Sequence, residues 1–296
     1  MRWADLDLLG HINNVVYVDY LQEARVDMLR VHAPDSRAED LAEGVVVVRH
    51  EVTYVAPLTL ERRTVSIECW VTRIRAASFT MAYEVFHESD GHRTVHLRAT
   101  TVLTPYVFAS ERPRRISPEE REVLERFLEP QQEAAASAAR RDASPARKDE
   151  EGHYPLHVRF SDVDVYGHVN NVQYFEFFQE ARILLIARLG RDIAGAPDLR
   201  MVTAQTDVDY KLPLLFRREP YDCWSWISYV GSSSLTIESE ICDGDRVLSR
   251  AQVVAVWFDL ATQRPMVPPV ALRAALVAAS SEPGSPVPEL DRVRVR

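Results

Sequence analysis

Two short motifs carry the residue types that could do chemistry in this chain. The first, Asp5–Asn14, has the sequence DLDLLGHINN, and the second, Asp162–Asn171, has the sequence DVDVYGHVNN. In each, a glycine three residues after the second aspartate permits a tight turn, and the two asparagines favour the start of a helix. A helix N-terminus offers unpaired backbone N–H groups and a partial positive charge. A carboxylate beside such amides could act on a carbonyl as base or nucleophile while the amides stabilise the oxyanion.

The motifs belong to an internal repeat that extends along most of the chain. An ungapped alignment from Arg2 and Arg159 has 13 identities in 29 positions, most of them polar or special residues. The alignment continues through Val52–Leu58 and Val208–Leu214, and after a hairpin that differs in length it resumes at Ala99 and Ala251. Each half is therefore one copy of the same unit, and finding the repeat first decides the fold prediction.

Hydrophobic periodicity predicts one long helix followed by strands in each copy. Apolar residues recur at helical spacing in both copies, at Tyr17, Leu21, Ala24 and Met28 and at Tyr174, Phe178, Ala181 and Leu185. The second helix is also apolar at Phe175, Phe177, Ile183, Leu184 and Ile186, which predicts that protein surrounds it on most sides. Four strands are predicted in the first copy, at about 44–55, 62–75, 77–88 and 93–107. This order predicts an α+β fold, with a long helix packed on an antiparallel sheet.

Composition excludes several classes of protein. The chain has 296 residues, 46% of them hydrophobic, which suits two folded domains. A net charge of −9 argues against a nucleic-acid partner. No apolar run is long enough to predict a membrane span, and the first residues do not resemble a signal peptide. Three widely spaced cysteines without a metal-ligand pattern predict reduced thiols in a cytoplasmic protein.

The domain boundaries follow from the repeat and from the composition between the copies. We predict a first domain over 1–129, a flexible linker over 130–152, a second domain over 153–280 and a disordered tail over 281–296. Ser117–Glu120 has the pattern of a capping box and predicts a short helix that runs to about Leu128. The second copy has a predicted strand at Leu156–Phe160, whereas the matching strand of the first copy is truncated. Either the natural start lies upstream of Met1, or the terminus that carries Asp7 is poorly anchored.

The motif residues resemble a known family. Asp-x-Asp-x-x-Gly-His-x-Asn-Asn, followed by a tyrosine three residues on and by Glu-Ala-Arg, is similar to the hotdog-fold acyl-CoA thioesterases of the 4-hydroxybenzoyl-CoA thioesterase type. The Tyr-x-x-Pro-Leu segments Tyr54–Leu58 and Tyr210–Leu214 also resemble that family. The resemblance covers both copies and implies two tandem hotdog domains, a double hotdog, in which the halves pair with each other. Hotdog units often assemble further, so a homo-oligomer is left open.

The resemblance also implies roles for individual residues. The family's catalytic carboxylate falls on Asp7 and Asp164, and its oxyanion amide falls on the backbone N–H of Asn14 and Asn171. Each site would lie at the interface of the two halves and need no metal or redox cofactor. Three further pairs carry weaker assignments. They are His11 and His168, as substrate-contacting or turn-stabilising residues, Asn13 and Asn170, as caps beside the oxyanion amides, and Glu23 and Glu180, as salt-bridge partners of Arg25 and Arg182 or as backup carboxylates.

The predicted function is hydrolysis of an acyl-CoA thioester to a carboxylic acid and free CoA. A non-catalytic module that binds or senses acyl-CoA is the alternative from another class, and a chain with one catalytic and one structural half is a third. Acyl-carrier-protein thioesterases are similar tandem hotdogs, but they usually place an asparagine two residues after the aspartate, where this chain has Leu9 and Tyr166. Arginines at 62–63, 73, 75 and 217–218 could contact CoA phosphates or could lie on solvated strand edges. The pattern leaves the acyl group open.

Overall fold

The chain folds into two compact units, residues 1–139 and residues 140–296, in this computed structural model. The structure describes residues 1–31, 44–60, 64–129, 146–193, 200–259, 262 and 264–280. The predicted disordered tail, Arg62 and Arg63, and residues 130–145 of the predicted linker lie outside these ranges. At the end of the predicted linker, Glu150–Gly152 forms a 3-10 helix whose cap is the Asp149 side chain.

Unit 1 is one long helix on an antiparallel sheet, as the sequence predicts. A 3-10 turn at Trp3–Asp5 leads through the first motif into helix α1. The strands lie within a few residues of the predicted ones and run in the order β2-β3-β4-β1, with the short strand β5 paired to β4. The elements are α1 (Asn14–Val31), β1 (Val45–Tyr54), β2 (Ser66–Ile74), β3 (Phe79–Ser89), β4 (His92–Val107), β5 (Arg112–Pro113) and α2 (Pro118–Glu125).

Unit 2 repeats this architecture with one additional edge strand. Its strand order is β7-β10-β9-β8-β6, with β11 paired to β10. The prediction of a strand at Leu156–Phe160 is wrong except at its first residue, because β6 ends at Leu156 and Phe160–Asp162 forms a 3-10 turn ahead of the second motif. The elements are β6 (His153–Leu156), α3 (Gln173–Leu189), β7 (Arg200–Tyr210), β8 (Tyr221–Val230), β9 (Ser234–Asp243), β10 (Arg246–Asp259), β11 (Arg264–Pro265) and α4 (Val270–Ala279).

The two long helices depart from their predicted burial in opposite directions, since α1 buries a wider face than predicted and α3 a narrower one. In α1 the buried side chains include Val18, Leu29 and the charged Arg25 in addition to the predicted Leu21. Helix α3 buries Phe175 and Phe177 as predicted, but Ile183 is 52% exposed, so one side of this helix faces solvent.

The short helix α2 begins at the predicted capping box. The Glu120 amide donates to Ser117 Oγ at 3.1 Å, and the Ser117 amide donates to Glu120 Oε2 at 2.8 Å. Arg114 forms an ion pair with the same carboxylate, which is buried. Burial alone would raise the pKa of Glu120, but the bonds from Arg114 and Ser117 outweigh burial and lower it. The helix ends at Glu125, three residues before the predicted end.

No helix of the described ranges is both long and apolar enough to cross a membrane.

Candidate active site

The first motif forms a closed turn around the side chain of Asp7. The Oδ1 atom of Asp7 accepts hydrogen bonds from the amides of Leu9, at 2.8 Å, and His11, at 3.0 Å. The Asp7 amide donates to the carbonyl of His11 at 2.7 Å. Gly10 has a backbone φ of +76°, in the left-handed region that glycine adopts freely and other residues adopt only at a cost in free energy. The turn therefore fixes one oxygen of the Asp7 carboxylate through backbone amides.

The second motif forms the same turn around Asp164. Its Oδ1 atom accepts from the amides of Tyr166, at 2.9 Å, and His168, at 3.3 Å, and Gly167 has φ +82°. Both aspartates are half-buried, and the Oδ2 atom of each accepts no hydrogen bond from the residues that the structure describes. Each turn thus presents one anchored and one open carboxylate oxygen.

In unit 1 the turn leads directly into a helix N-terminus. The Oδ1 atom of Asn13 accepts from the amide of Val15 at 3.0 Å, so Asn13 is the helix cap. Helix α1 begins at Asn14, whose amide belongs to the first turn, where helices have no internal acceptors for their N–H groups. The carbonyl of Asn14 accepts a hydrogen bond from the Tyr54 hydroxyl at 2.9 Å, which ties the helix start to β1.

Unit 2 repeats the helix start. Asn170 Oδ1 accepts from the amide of Val172 at 2.9 Å, and the carbonyl of Asn171 accepts from the Tyr210 hydroxyl at 2.8 Å. Helix α3 is assigned from Gln173, but Val172 already has helical angles, φ −66° and ψ −37°. The difference of two residues between the two helix starts is within the usual spread of boundary assignment.

The hydroxyls of Tyr54 and Tyr210 were not predicted to support the site. The sequence signal was present, since both tyrosines open the repeated Tyr-x-x-Pro-Leu segment. Each ring also packs edge-on against the tyrosine of the long helix, Tyr17 at 5.8 Å or Tyr174 at 4.9 Å between ring centroids. These pairs connect the first turn of the helix to the sheet.

The Pro-Leu segment forms the wall behind each turn. The Ile12 amide donates to the carbonyl of Leu58 at 2.8 Å, and the Val169 amide donates to that of Leu214 at 2.9 Å. In unit 2 the Leu214 amide also donates to the Tyr174 hydroxyl. Burial raises the pKa of this hydroxyl, and the nearby Asp164 charge adds a small contribution in the same direction.

The first aspartate of each motif is a structural anchor. Asp5 is buried and accepts from Tyr20, at 2.5 Å, and from Arg2. Burial alone would raise the pKa of Asp5, but the hydrogen bonds from Tyr20 and Arg2 outweigh burial and lower it. Asp162 is also buried and bonds to Arg159, at 2.7 Å from the amide and 3.0 Å from Nε. The N-terminal turn that carries Asp7 is therefore anchored in the described structure.

The other predicted site residues lie around the two turns or on the helices. His11 and His168 are half-buried, and their backbones bridge to Thr59 and Leu215. Glu23 and Glu180 are exposed on the long helices. Arg25, the predicted salt-bridge partner of Glu23, is buried.

Buried Arg25 belongs to a polar cluster in the core of unit 1. Burial, with a smaller contribution from the Arg25 charge, lowers the pKa of His50 to about 3. Burial raises the pKa of Tyr83, and the nearby guanidinium of Arg25 opposes that shift. Sequence patterns did not predict this cluster, because its members come from one helix and two strands.

One of the arginines predicted to contact CoA phosphates, Arg217, interacts with other side chains of the chain. It forms an ion pair with Asp243 at 2.7 Å and lies over the ring of Tyr221. Arg73, Arg75 and Arg218 are exposed. Among the described residues, no group of three or more His, Cys, Asp and Glu side chains has the arrangement of a metal site.

Large apolar side chains are exposed beside both turns. Leu8 lies in the first turn, and Val165 occupies the same position in the second; both are almost fully exposed. Further exposed aromatic rings flank the turns, namely Trp3, Phe160, Tyr166 and Phe216. Exposed apolar groups next to an open carboxylate suit a ligand that is apolar in part.

Comparisons with known proteins agree with this architecture. The family model described as "Thioesterase-like superfamily" matches residues 1–127 and 158–276. The fold is similar to that of a candidate oleoyl thioesterase from Lactobacillus plantarum, with a TM-score of 0.69 and 16% identity over 88% of this chain and 94% of that one. It is also similar to a 12:0-ACP thioesterase from Umbellularia californica, with a TM-score of 0.63 and 17% identity over 90% of this chain and 95% of that one.

One curated relative has a closer sequence but a shorter match. The uncharacterized protein YsmA of Bacillus subtilis (strain 168) is 34% identical over 99 residues, which is 33% of this chain. The match spans 66%, just under two thirds, of the length of that relative.

Proposed function

Because this chain belongs to the thioesterase-like superfamily and is a thioester hydrolase with two tandem hotdog domains, we propose that it hydrolyses acyl-CoA thioesters to a carboxylic acid and free CoA. The open oxygen of Asp7 or Asp164 takes a proton from water, and the resulting hydroxide attacks the thioester carbonyl. The C–S bond then breaks, and the CoA thiolate leaves and takes up the proton. In the second route the carboxylate itself attacks the thioester carbonyl, the C–S bond breaks, and the CoA thiolate leaves an acyl-aspartyl anhydride. Water then hydrolyses the anhydride to the carboxylic acid and the free aspartate, and the proton released goes to the thiolate.

The observation that carries this proposal is the repeated geometry of the two aspartates. In both turns Oδ1 is fixed by two backbone amides, which leaves Oδ2 for substrate or water. A fixed carboxylate loses little entropy when it reaches the transition state, which favours catalysis. Neither route needs a metal or a redox cofactor, and we propose that none takes part.

The helix starts supply the second part of the proposed machinery. The amides of Asn14 and Asn171 lie in the first turns of the long helices or directly before them, with their carbonyls held by Tyr54 and Tyr210. We assign these amides to the oxyanion hole. One such donor is typically worth ~3 kcal/mol of transition-state stabilisation. His11 and His168 are assigned to orient the substrate at the rim of the turn.

The exposed side chains indicate the chemistry of the ligand, and the cysteines indicate the cellular compartment. The exposed apolar side chains beside them suit an acyl chain or the pantetheine arm. The exposed Arg73, Arg75 and Arg218 are the candidates for the CoA phosphates. Cys69, Cys223 and Cys242 are free thiols, which supports a reducing compartment, and we propose the cytoplasm.

The test uses asparagine, because an asparagine Oδ1 can accept the same two backbone hydrogen bonds but cannot act as a base. Release of free CoA is measured with a panel of acyl-CoA thioesters for the wild type and for the double variant Asp7→Asn, Asp164→Asn. We expect kcat to fall by about 10²–10⁴-fold, the usual contribution of a general base. Asp90→Asn, Asp245→Asn is the matched control, because it makes the same change of charge at exposed hairpin residues of the two units. Wild-type kcat in the double asparagine variant would overturn the assignment.

An acyl-carrier-protein thioesterase is the second candidate. The similarity of the fold to that of the 12:0-ACP thioesterase over 90% of this chain supports this candidate. A fold alone does not determine whether the acyl group is carried on CoA or on a protein. Leu9 and Tyr166, in place of the asparagines of that subgroup, favour CoA. The same acyl group is presented on CoA and on holo acyl carrier protein. A higher kcat/KM for the CoA thioester supports our proposal, and a higher value for the protein-bound thioester selects the second candidate.

A further inference from the structure

One backbone amide at the start of helix α1 is available to a ligand. Within the described part of the chain, the Asn14 amide donates to no acceptor. The amides on either side of it are occupied. Those of Ile12, Asn13, Val15 and Val16 donate to the Leu58 carbonyl, the Asp5 carbonyl, the Asn13 side chain and the Asn13 carbonyl, at 2.8, 2.8, 3.0 and 3.0 Å. The turn therefore fixes the neighbours of Asn14 and leaves its N–H to a bound group.

The segment Tyr54–Leu58 holds this stretch of backbone at two points. Its first residue donates the Tyr54 hydroxyl to the carbonyl of Asn14 at 2.9 Å. Its last residue, Leu58, accepts the amide of Ile12 on its carbonyl at 2.8 Å. The backbone from Ile12 to Asn14 is thus fixed at both ends by one short segment at the end of β1.

Unit 2 has the same two attachments. The Tyr210 hydroxyl donates to the carbonyl of Asn171 at 2.8 Å, and the carbonyl of Leu214 accepts from the Val169 amide at 2.9 Å. Both tyrosines are half-buried and lie at the last position of their strands, β1 and β7. The same bonds at matching positions of the two units indicate a common role for the two hydroxyls.

The tyrosine hydroxyl acts on the helix-start amide through the residue that carries it. The carbonyl and the amide of Asn14 share one Cα atom, so a fixed carbonyl restricts rotation of the residue and the direction of its N–H. A donor stabilises an oxyanion best when it is in place before the reaction. A displacement of about 1 Å in such a site can cost about 10²-fold in rate.

We propose that Tyr54 and Tyr210 are positioning residues of the oxyanion hole. The proposal rests on the proposed function, because it takes the amides of Asn14 and Asn171 as the oxyanion donors. The hydroxyls do not touch the substrate, and they fix the carbonyls of the residues that do. Their contribution falls on kcat and not on KM, since the donor bonds the oxyanion more strongly than the carbonyl of the bound thioester.

The test removes the two hydroxyls and keeps the rings. Phenylalanine at both positions preserves the edge-on packing against Tyr17 and Tyr174. Release of free CoA is measured for Tyr54→Phe, Tyr210→Phe at a range of acyl-CoA concentrations. We expect kcat to fall about tenfold, a part of the loss caused by removal of an oxyanion donor, and KM to change by less than about twofold. Wild-type kcat, or a loss that lies in KM alone, would overturn the proposal.

The matched control removes one hydroxyl from the sheet of each unit at another place. In Tyr106→Phe, Tyr229→Phe, the first residue lies on β4 where it pairs with β5, and the second lies next to the last residue of β8. We expect this variant to keep the wild-type kcat. An equal loss of kcat in the control and in the Tyr54, Tyr210 variant would overturn the proposal, because the effect would then come from any lost hydroxyl.

A second readout follows the helix starts without substrate. Hydrogen exchange of the amides bonded to Asn13 and Asn170 is measured by NMR, and it should be at least about threefold faster in Tyr54→Phe, Tyr210→Phe than in the control. A lower kcat with unchanged exchange would overturn the proposal, since the hydroxyls would not act through the helix starts.

Comparison with the asparagine variant of the aspartates separates this proposal from the proposed function. A lower kcat in Tyr54→Phe, Tyr210→Phe with wild-type kcat in Asp7→Asn, Asp164→Asn would remove the aspartates from the mechanism and keep the positioning role of the tyrosines. The reverse pattern would keep the aspartates and overturn the role of the tyrosines.

Discussion

The two motif turns have the same hydrogen bonds, whereas the sheet edges beside them differ. In both Asp7 and Asp164, one carboxylate oxygen accepts hydrogen bonds from two backbone amides. The backbone φ angles of Gly10 and Gly167 are both left-handed and differ by 6°, at +76° and +82°. In unit 2 the strand β6 covers the edge of β8, while in unit 1 the described residues pair with the matching edge of β2 only at Val71. The comparison teaches that the motif sets its own geometry locally and does not depend on the neighbouring edge strand.

The supports of the first aspartates also differ between the units. Asp5 accepts a hydrogen bond from Tyr20, but the matching residue of α3 is Phe177, which has no hydroxyl. In unit 2, Arg159 instead bonds both Asp162 and Glu176, the latter at 3.1 Å. The two copies therefore reach the same turn with different outer contacts.

Removal of the Tyr20 hydroxyl is the largest expected change in stability. Tyr20→Phe breaks a bond to a buried carboxylate, and such bonds to charged groups contribute about 1.5–3 kcal/mol. We expect a loss of this size in the free energy of unfolding at neutral pH, measured by urea denaturation. Phe177 at the matching position indicates that phenylalanine is accepted sterically.

The pH dependence of this loss follows from Asp5. The folded-state pKa of Asp5 is lowered, so its contribution to stability is present above the ordinary aspartate range and is lost as pH falls through the folded pKa. The difference between wild type and Tyr20→Phe should therefore shrink in acid. The matched variant Phe177→Tyr offers Asp162 the same bond and should not destabilise the chain. A constant difference down to strongly acidic pH would contradict this account of Asp5.

Substitution of the glycine in either turn should destabilise the chain less than Tyr20→Phe does, and by the same amount in both turns. A Cβ at Gly10 or Gly167 meets no atom within 4 Å, so the cost of alanine is the left-handed backbone alone. We expect Gly10→Ala and Gly167→Ala each to lose about 1–2 kcal/mol in the free energy of unfolding. Because asparagine tolerates the left-handed conformation better than alanine, the asparagine variants should lose less free energy of unfolding at both positions. A loss at only one glycine would mean that the two turns are not equivalent.

The sequence predicted the features that local patterns encode. The period of the apolar residues gave the long helices and the strands, and the repeated glycine gave the two turns. The capping role of Asn13 and Asn170 followed from their place before a helix. All of these depend on residues close together in the chain, where sequence spacing determines geometry.

The features that the sequence did not predict depend on residues that are far apart in the chain. The bond from the Tyr54 hydroxyl to the carbonyl of Asn14 joins a strand to a helix 40 residues away, and the repeated Tyr-x-x-Pro-Leu segment marks the tyrosine but not its partner. The burial of Arg25 beside His50 and Tyr83 likewise depends on how the helix packs on the sheet.

The most direct test of the equivalence of the two sites is a comparison of the single variants Asp7→Asn and Asp164→Asn. Free CoA release is followed under saturating acyl-CoA, with the folded state of each variant checked by its denaturation midpoint. Because the two turns have the same geometry, each single variant should retain about half of the wild-type kcat. Nearly complete loss in one variant together with full activity in the other would contradict two equivalent sites.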